Sequence, residues 1–95
     1  MANRTLAAGD LAVHAATLAA GTEDVVTFAE ADDYVLLVHP GTSAPVYVSH
    51  KTVTVGDADS RVVFPGFALD LGPQAAEAAV HVISAEAATY SVERA

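Results

Sequence analysis

DYVLLVHPGTSAPVYVSH, residues Asp33–His50, holds two apolar runs separated by a polar break. Tyr34–Val38 is short, continuous and rich in β-branched and aromatic residues. Bounded by Asp32-Asp33 and by His39-Pro40-Gly41, it reads as a strand and not a helix. Both of its faces are apolar, with Tyr34, Leu36 and Val38 on one and Val35 and Leu37 on the other. That pattern predicts a central strand covered on both sides, or a sheet face completed by a partner. Pro40 lacks an N–H and Gly41 tolerates positive φ, so the ladder breaks there, and Thr42-Ser43 complete a polar turn. Pro45 can open a second strand, Val46–His50, where its missing donor costs least. The stretch is expected to form a hairpin with Val38 opposite Tyr47.

Working outward, Val25–Ala29 is predicted as a strand with Val26 and Phe28 on one face. Lys51–Val55 alternates as a strand, Gly56–Ser60 (GDADS) is a loop, and Arg61–Phe64 is a short strand ended by Pro65-Gly66. Phe67–Leu71 alternates strictly, with Phe67, Leu69 and Leu71 facing one way, and Gly72-Pro73 closes it. Gln74–Ala78 fits one helical turn or a loop. Ala79–Ser84 and Ala87–Val92 are the last strands. Leu11–Ala20 is alanine-rich, which favours helix, but its irregular alternation and Gly21 favour an extended arm or edge strand. Residues 1–10 are polar or small, without periodicity, and read as an arm. The expectation is an all-β chain: a compact antiparallel β-sandwich or small barrel of seven or eight short strands with an extended N-terminal arm. Residues 1–20 form the arm or edge strand, and residues 21–95 a single domain.

The 95 residues suffice for one domain with a modest core. Cysteine is absent, which excludes disulfides, thiol catalysis and Cys-ligated metals. No apolar run reaches the roughly 18–20 residues of a membrane helix, and the N-terminus does not read as a signal peptide. A net charge of −8, with only Arg4, Lys51, Arg61 and Arg94 positive, opposes binding to a phosphate backbone. The hydrophobic fraction of 53% is led by alanine, and Trp is absent. Such a core gains little burial per residue, so the domain is expected to lean on neighbours for stability.

Candidate chemistry is sparse. His14, His39, His50 and His81 read as polar positions at strand ends, without carboxylates at ligand spacing. Asp57 and Asp59 lack the other oxygen ligands of a calcium loop. Glu23/Asp24 and Asp32/Asp33 are acidic pairs at turns, and Ser43, Ser49 and Ser84 lack a nucleophile-elbow context. Tyr34, Tyr47 and Tyr90 either cap the core with hydroxyls in water or, if they share an exposed face, stack on sugars. The expectation is a protein that is not an enzyme, with no catalytic residue, cofactor or metal site.

A family resemblance adds to this. His14–Leu18 (HAATL), Val25–Phe28 (VVTF), Ala44–Val48 (APVYV), Arg61–Gly66 (RVVFPG) and Val82–Val92 (VISAEAATYSV) occur in an order that resembles small β-sandwich proteins. Those proteins are encoded among the structural genes of tailed phages of actinobacteria, and some look like head decoration (cement) proteins. The likeness spans roughly Leu11 to Val92. It implies a virion structural protein, assembled in the host cytoplasm, that binds the outer shell and bridges subunits of the major capsid protein. A homo-oligomer, such as a trimer, is implied, with neither nucleic acid nor membrane as partner. The arm would then be the clamp, adding main-chain hydrogen bonds to a neighbour, with Asn3, Arg4, Leu6, Leu11, Val13 and His14 as contacts. A head–tail connector or tail component, or a particle-displayed carbohydrate- or receptor-binding module, are the alternatives.

Overall fold

A computed structural model describes residues 2–41 and 43–95. Met1 and Thr42, which fall in the expected arm and polar turn, lie outside the described residues. Nine strands and no helix occur among those described. They are β1 (Ala2–Leu6), β2 (Ala12–Leu18), β3 (Asp24–Phe28), β4 (Asp32–Val38), β5 (Val46–Ser49), β6 (Arg61–Val63), β7 (Ala68–Gln74), β8 (Ala79–Ser84) and β9 (Ala88–Arg94). Two sheets form, in the orders β1-β3-β8-β5-β6 and β2-β9-β4-β7. All pairings are antiparallel except β1 with β3.

The alternation in the sequence builds the core. Val26 and Phe28 from β3, Val46 and Val48 from β5, and Val80 and Val82 from β8 face Tyr34, Leu36 and Val38 from β4 and Tyr90 and Val92 from β9. Phe28 stacks on Tyr34 across the sheets at 4.1 Å between centroids, adding an aromatic pair to the aliphatic core.

The expected hairpin does not form. β4 is an internal strand of the four-stranded sheet and β5 belongs to the other sheet, so residues 39–45 arch between the layers. Two-residue turns favour hairpins, whereas a link this long with a proline near each end allows the chain to change sheets. Ser84 Oγ holds the far end of the arch by donating to the Pro45 carbonyl at 3.0 Å.

Of the two readings of residues 1–20, arm or edge strand, the edge strand is the one that forms. Ala2–Leu6 pairs in parallel with β3, and Leu6 is fully buried. Ala12–Leu18 is an edge strand on β9, with a bulge in which His14 and Ala15 together oppose Ser91. Ala15 takes φ +52° there, a left-handed value that turns the strand. Two further expectations change. Lys51–Val55 is not a strand, although Val53 is buried and its N–H bonds Glu23 at 2.8 Å. The strand predicted to end at Gly72-Pro73 runs on to Gln74, because Leu71 bulges out between Gly72 and Asp70 and the ladder with β4 resumes.

Asp24 ties these pieces together. Its side chain is buried and accepts from Arg4 Nε at 3.1 Å, Tyr90 O–H at 2.8 Å and Ala2 N–H at 3.3 Å. β1 and β3 of one sheet and β9 of the other therefore meet at a single carboxylate. Asp24→Ala removes the acceptor and strands the Tyr90 hydroxyl. Loss of such a buried partner costs about 3–5 kcal/mol, a large part of the ~5–15 kcal/mol total stability of a small domain. Urea unfolding should show a correspondingly lower midpoint, and an unchanged midpoint would remove Asp24 from this role.

Candidate functional site

The two sides of the sandwich differ. On the side where β1 and β2 lie, Arg4 Nη2 donates to the Thr17 carbonyl of β2 at 2.9 Å, a hydrogen bond from one sheet edge to the other. Burial pulls the Arg4 pKa down, but Asp24 and Tyr90 beside it outweigh this and raise it above the ordinary value. Burial, and then the Asp24 carboxylate, push the Tyr90 hydroxyl up, so that it stays a neutral donor. This side is closed by polar bonds.

The residues expected as arm contacts sit here in different states. Leu6 is core, Arg4 is ion-paired to Asp24, and Val13 packs half-buried against the core. Asn3, Leu11 and His14 are exposed. Leu11, at 77% exposure, stands alone among them as a large apolar side chain.

His14 and His39 are brought together by the bulge, with ring centroids 5.8 Å apart. Both address Ser91 Oγ, His39 Nε2 at 2.7 Å and His14 Nδ1 at 3.5 Å. The Ser91–His39 distance is that of a nucleophile and its base. However, Ser91 is only 2% exposed, and the Ala15 N–H already donates to its oxygen at 2.9 Å. The arrangement fastens a bulge and presents no open reaction centre. Among the described residues, no three His, Asp or Glu side chains converge as a metal cage.

The acidic pair Glu23/Asp24, expected at a turn, is engaged in the structure. Glu23 Oε1 lies 3.1 Å from His81 Nδ1, while Oε2 accepts from Val53. The tyrosines do not share an outer face. Tyr34 and Tyr90 are fully buried, with hydroxyls bonded to the Glu30 carbonyl and to Asp24 instead of water. Tyr47 alone is half-exposed.

The opposite side, where β6 and β7 lie, is open and apolar. Phe64-Pro65-Gly66-Phe67 joins the two sheets as a tight turn, with Phe67 N–H donating to the Phe64 carbonyl at 3.0 Å and Gly66 at φ +85°. A positive φ at the third position, here glycine, is what a type II turn requires, and proline is common at the second. The turn is bolted to the end of β4: Gly66 N–H donates to the Val38 carbonyl at 2.8 Å, and Val38 N–H to the Phe67 carbonyl at 3.1 Å. A held backbone thus projects Phe64, 58% exposed, and Phe67, 67% exposed, with Val62 at 45% beside them. Val62, Phe64, Phe67, Ala68 and Leu69 line a shallow groove. Next to it a cleft of about 310 Å³ enters between the sheets, floored by Val48, Val80, Leu69 and Leu71 and rimmed by His50, Lys51, Asp59, Arg61 and Asp70. Sequence reading placed Phe67 inward with Leu69 and Leu71. The strand begins only after Phe67, so its alternation does not extend to that ring.

With the geometry in place, comparison with known protein families, curated proteins and solved structures gave no significant match.

Glu23 and Asp32 make stability acid-sensitive. Burial raises the Glu23 carboxyl, but the Val53 N–H and His81 outweigh it and hold it below its ordinary 4.5. The Asp33 N–H, and then Arg94, hold Asp32 below its ordinary 3.8. A depressed folded-state value means stabilisation that is complete above the unfolded value and lost as pH falls through the folded one. The urea midpoint should therefore fall as pH drops below 4.5. Glu23→Gln should flatten the upper part of that slope, and a variant slope matching the wild type would rule Glu23 out as its source.

Proposed function

We propose that this chain is a virion structural protein. In this reading it is a capsid decoration (cement) protein that binds the outer shell of a phage particle and bridges major capsid subunits. The observation that carries docking is the rigid apolar corner of Val62, Phe64 and Phe67 on a chain of net charge −8. Exposed aromatic side chains on a held backbone lose little conformational entropy on binding, and buried aromatic anchors dominate interface energy. The sandwich fold and the family resemblance support the same reading. The partner is the major capsid protein, and contact area, not catalysis, supplies the stabilisation. Homo-oligomers at shell symmetry axes, trimers included, fit this role.

Phe64→Ser combined with Phe67→Ser tests it. Both side chains are mostly solvent-exposed, so the urea midpoint should stay close to wild type. Two lost aromatic anchors of ~2 kcal/mol each would weaken capsid binding by roughly two to three orders of magnitude. Occupancy on undecorated particles, read by gel densitometry, should collapse. Full occupancy of the folded double variant would refute docking through this corner.

A further inference from the structure

The cleft beside the corner has its own chemistry. Its floor, Val48 and Val80 from one sheet and Leu69 and Leu71 from the other, is entirely aliphatic. A volume of about 310 Å³ lies at the small end of the range for small-molecule sites. The rim carries two cations, Lys51 and Arg61, and two carboxylates, Asp59 and Asp70, but these are not equally free. Asp59 is bridged to Lys51 at 3.3 Å. Asp70 Oδ1 accepts the Gly72 N–H at 2.8 Å. Arg61 is exposed and makes no side-chain hydrogen bond or ion pair among the described residues. The chain's other arginines are engaged elsewhere, Arg4 with Asp24 and Arg94 with Asp32 and Glu30. A guanidinium uncommitted among the described residues of an acidic protein therefore stands at the mouth of an aliphatic cleft.

We propose that this cleft binds a small aliphatic carboxylate, with the chain on the Val48–Leu69–Leu71–Val80 floor and the carboxylate on Arg61. The apolar floor recognises the chain by burial, and the guanidinium fork matches a carboxylate bidentately. An aliphatic ammonium of the same length meets Arg61 as a like charge and competes with the Gly72 N–H for Asp70 and with Lys51 for Asp59. The site is separate from capsid docking, although Leu69 borders both surfaces.

The test uses the isolated protein, so its result does not depend on any particle. Amide and methyl shifts are followed by NMR during titration with octanoate below its micelle-forming concentration, in parallel with hexanoate, octanol and octylammonium. Octanoate should perturb Val48, Leu69, Leu71 and Val80. It should bind roughly tenfold more tightly than hexanoate, since two more methylenes are buried. Arg61→Gln should weaken octanoate about tenfold or more, while octanol binding stays unchanged. Because Arg61 is exposed, that variant is expected to remain folded. Octanoate binding no more tightly than octanol or octylammonium, shifts outside the cleft, or an Arg61→Gln variant with wild-type affinity would each overturn the proposal.

Discussion

A single buried carboxylate organises this sandwich. Asp24 begins β3, yet its oxygens are shared between the first strand and the opposite sheet through Ala2, Arg4 and Tyr90. Burying a carboxylate is unfavourable unless its lone pairs are filled. Once they are filled, each partner is held in place in turn. Arg4 is then positioned to reach the Thr17 carbonyl, which links the edges of the two sheets. β1 is a five-residue edge strand paired on one side only. Its attachment thus rests on the Asp24 bonds and the burial of Leu6 as much as on its ladder.

That closure makes the molecule lopsided. Polar bonds use up the β1/β2 side. On the other side, the sheets part around the cleft, and the Phe64–Phe67 turn joins them. β7 guards much of its own edge: Asp70 faces outward, Leu71 bulges, and Pro73 cannot donate to an incoming strand. These features discourage indiscriminate edge-to-edge pairing. The apolar surface on this side is carried by side chains at the turn instead of by main-chain groups along β7. A partner meeting this side meets aromatic rings on a fixed turn.

How much of this the sequence disclosed follows from which interactions are local. Alternation is local, so β3, β4, β8 and β9 could be read from Val26/Phe28, the doubly apolar Tyr34–Val38 run, Val80/Val82 and the closing Tyr90/Val92. Sheet membership is not local. Tyr34–Val38 and Val46–Ser49 look alike whether they pair with each other or face each other across the core, and only the length of the 39–45 link argued for the second. Bulges hid more. The spacing from Val13 to Ala16 to Leu18 breaks the two-residue period at His14-Ala15, so β2 looked irregular when it is a strand with one extra residue. Asp24, Glu23 and His81 could not be placed, because their partners lie 20 or more residues away along the chain. The apolar corner was partly legible, since Phe-Pro-Gly-Phe announces its turn. The outward direction of both rings depends on the hydrogen bonds to Val38, which no local pattern encodes.

The same energetics bear on which segment can serve as a contact. For the first ten residues to reach a neighbouring subunit as an extended clamp, β1 would have to leave its sheet. Leu6 would pass from full burial into water, and Asp24 would lose two of its three donors inside the fold. The Tyr90 hydroxyl would remain beside an undercompensated buried carboxylate. Each of these costs is of the order of a whole interface anchor, so a clamp would have to recover several kcal/mol before gaining any net affinity. Phe64 and Phe67 carry no such debt, because they are already in water and on a backbone that needs no rearrangement. Docking by the turn would use apolar surface the fold leaves unburied, whereas detaching the first strand as a clamp would dismantle the interaction that holds the two sheets together.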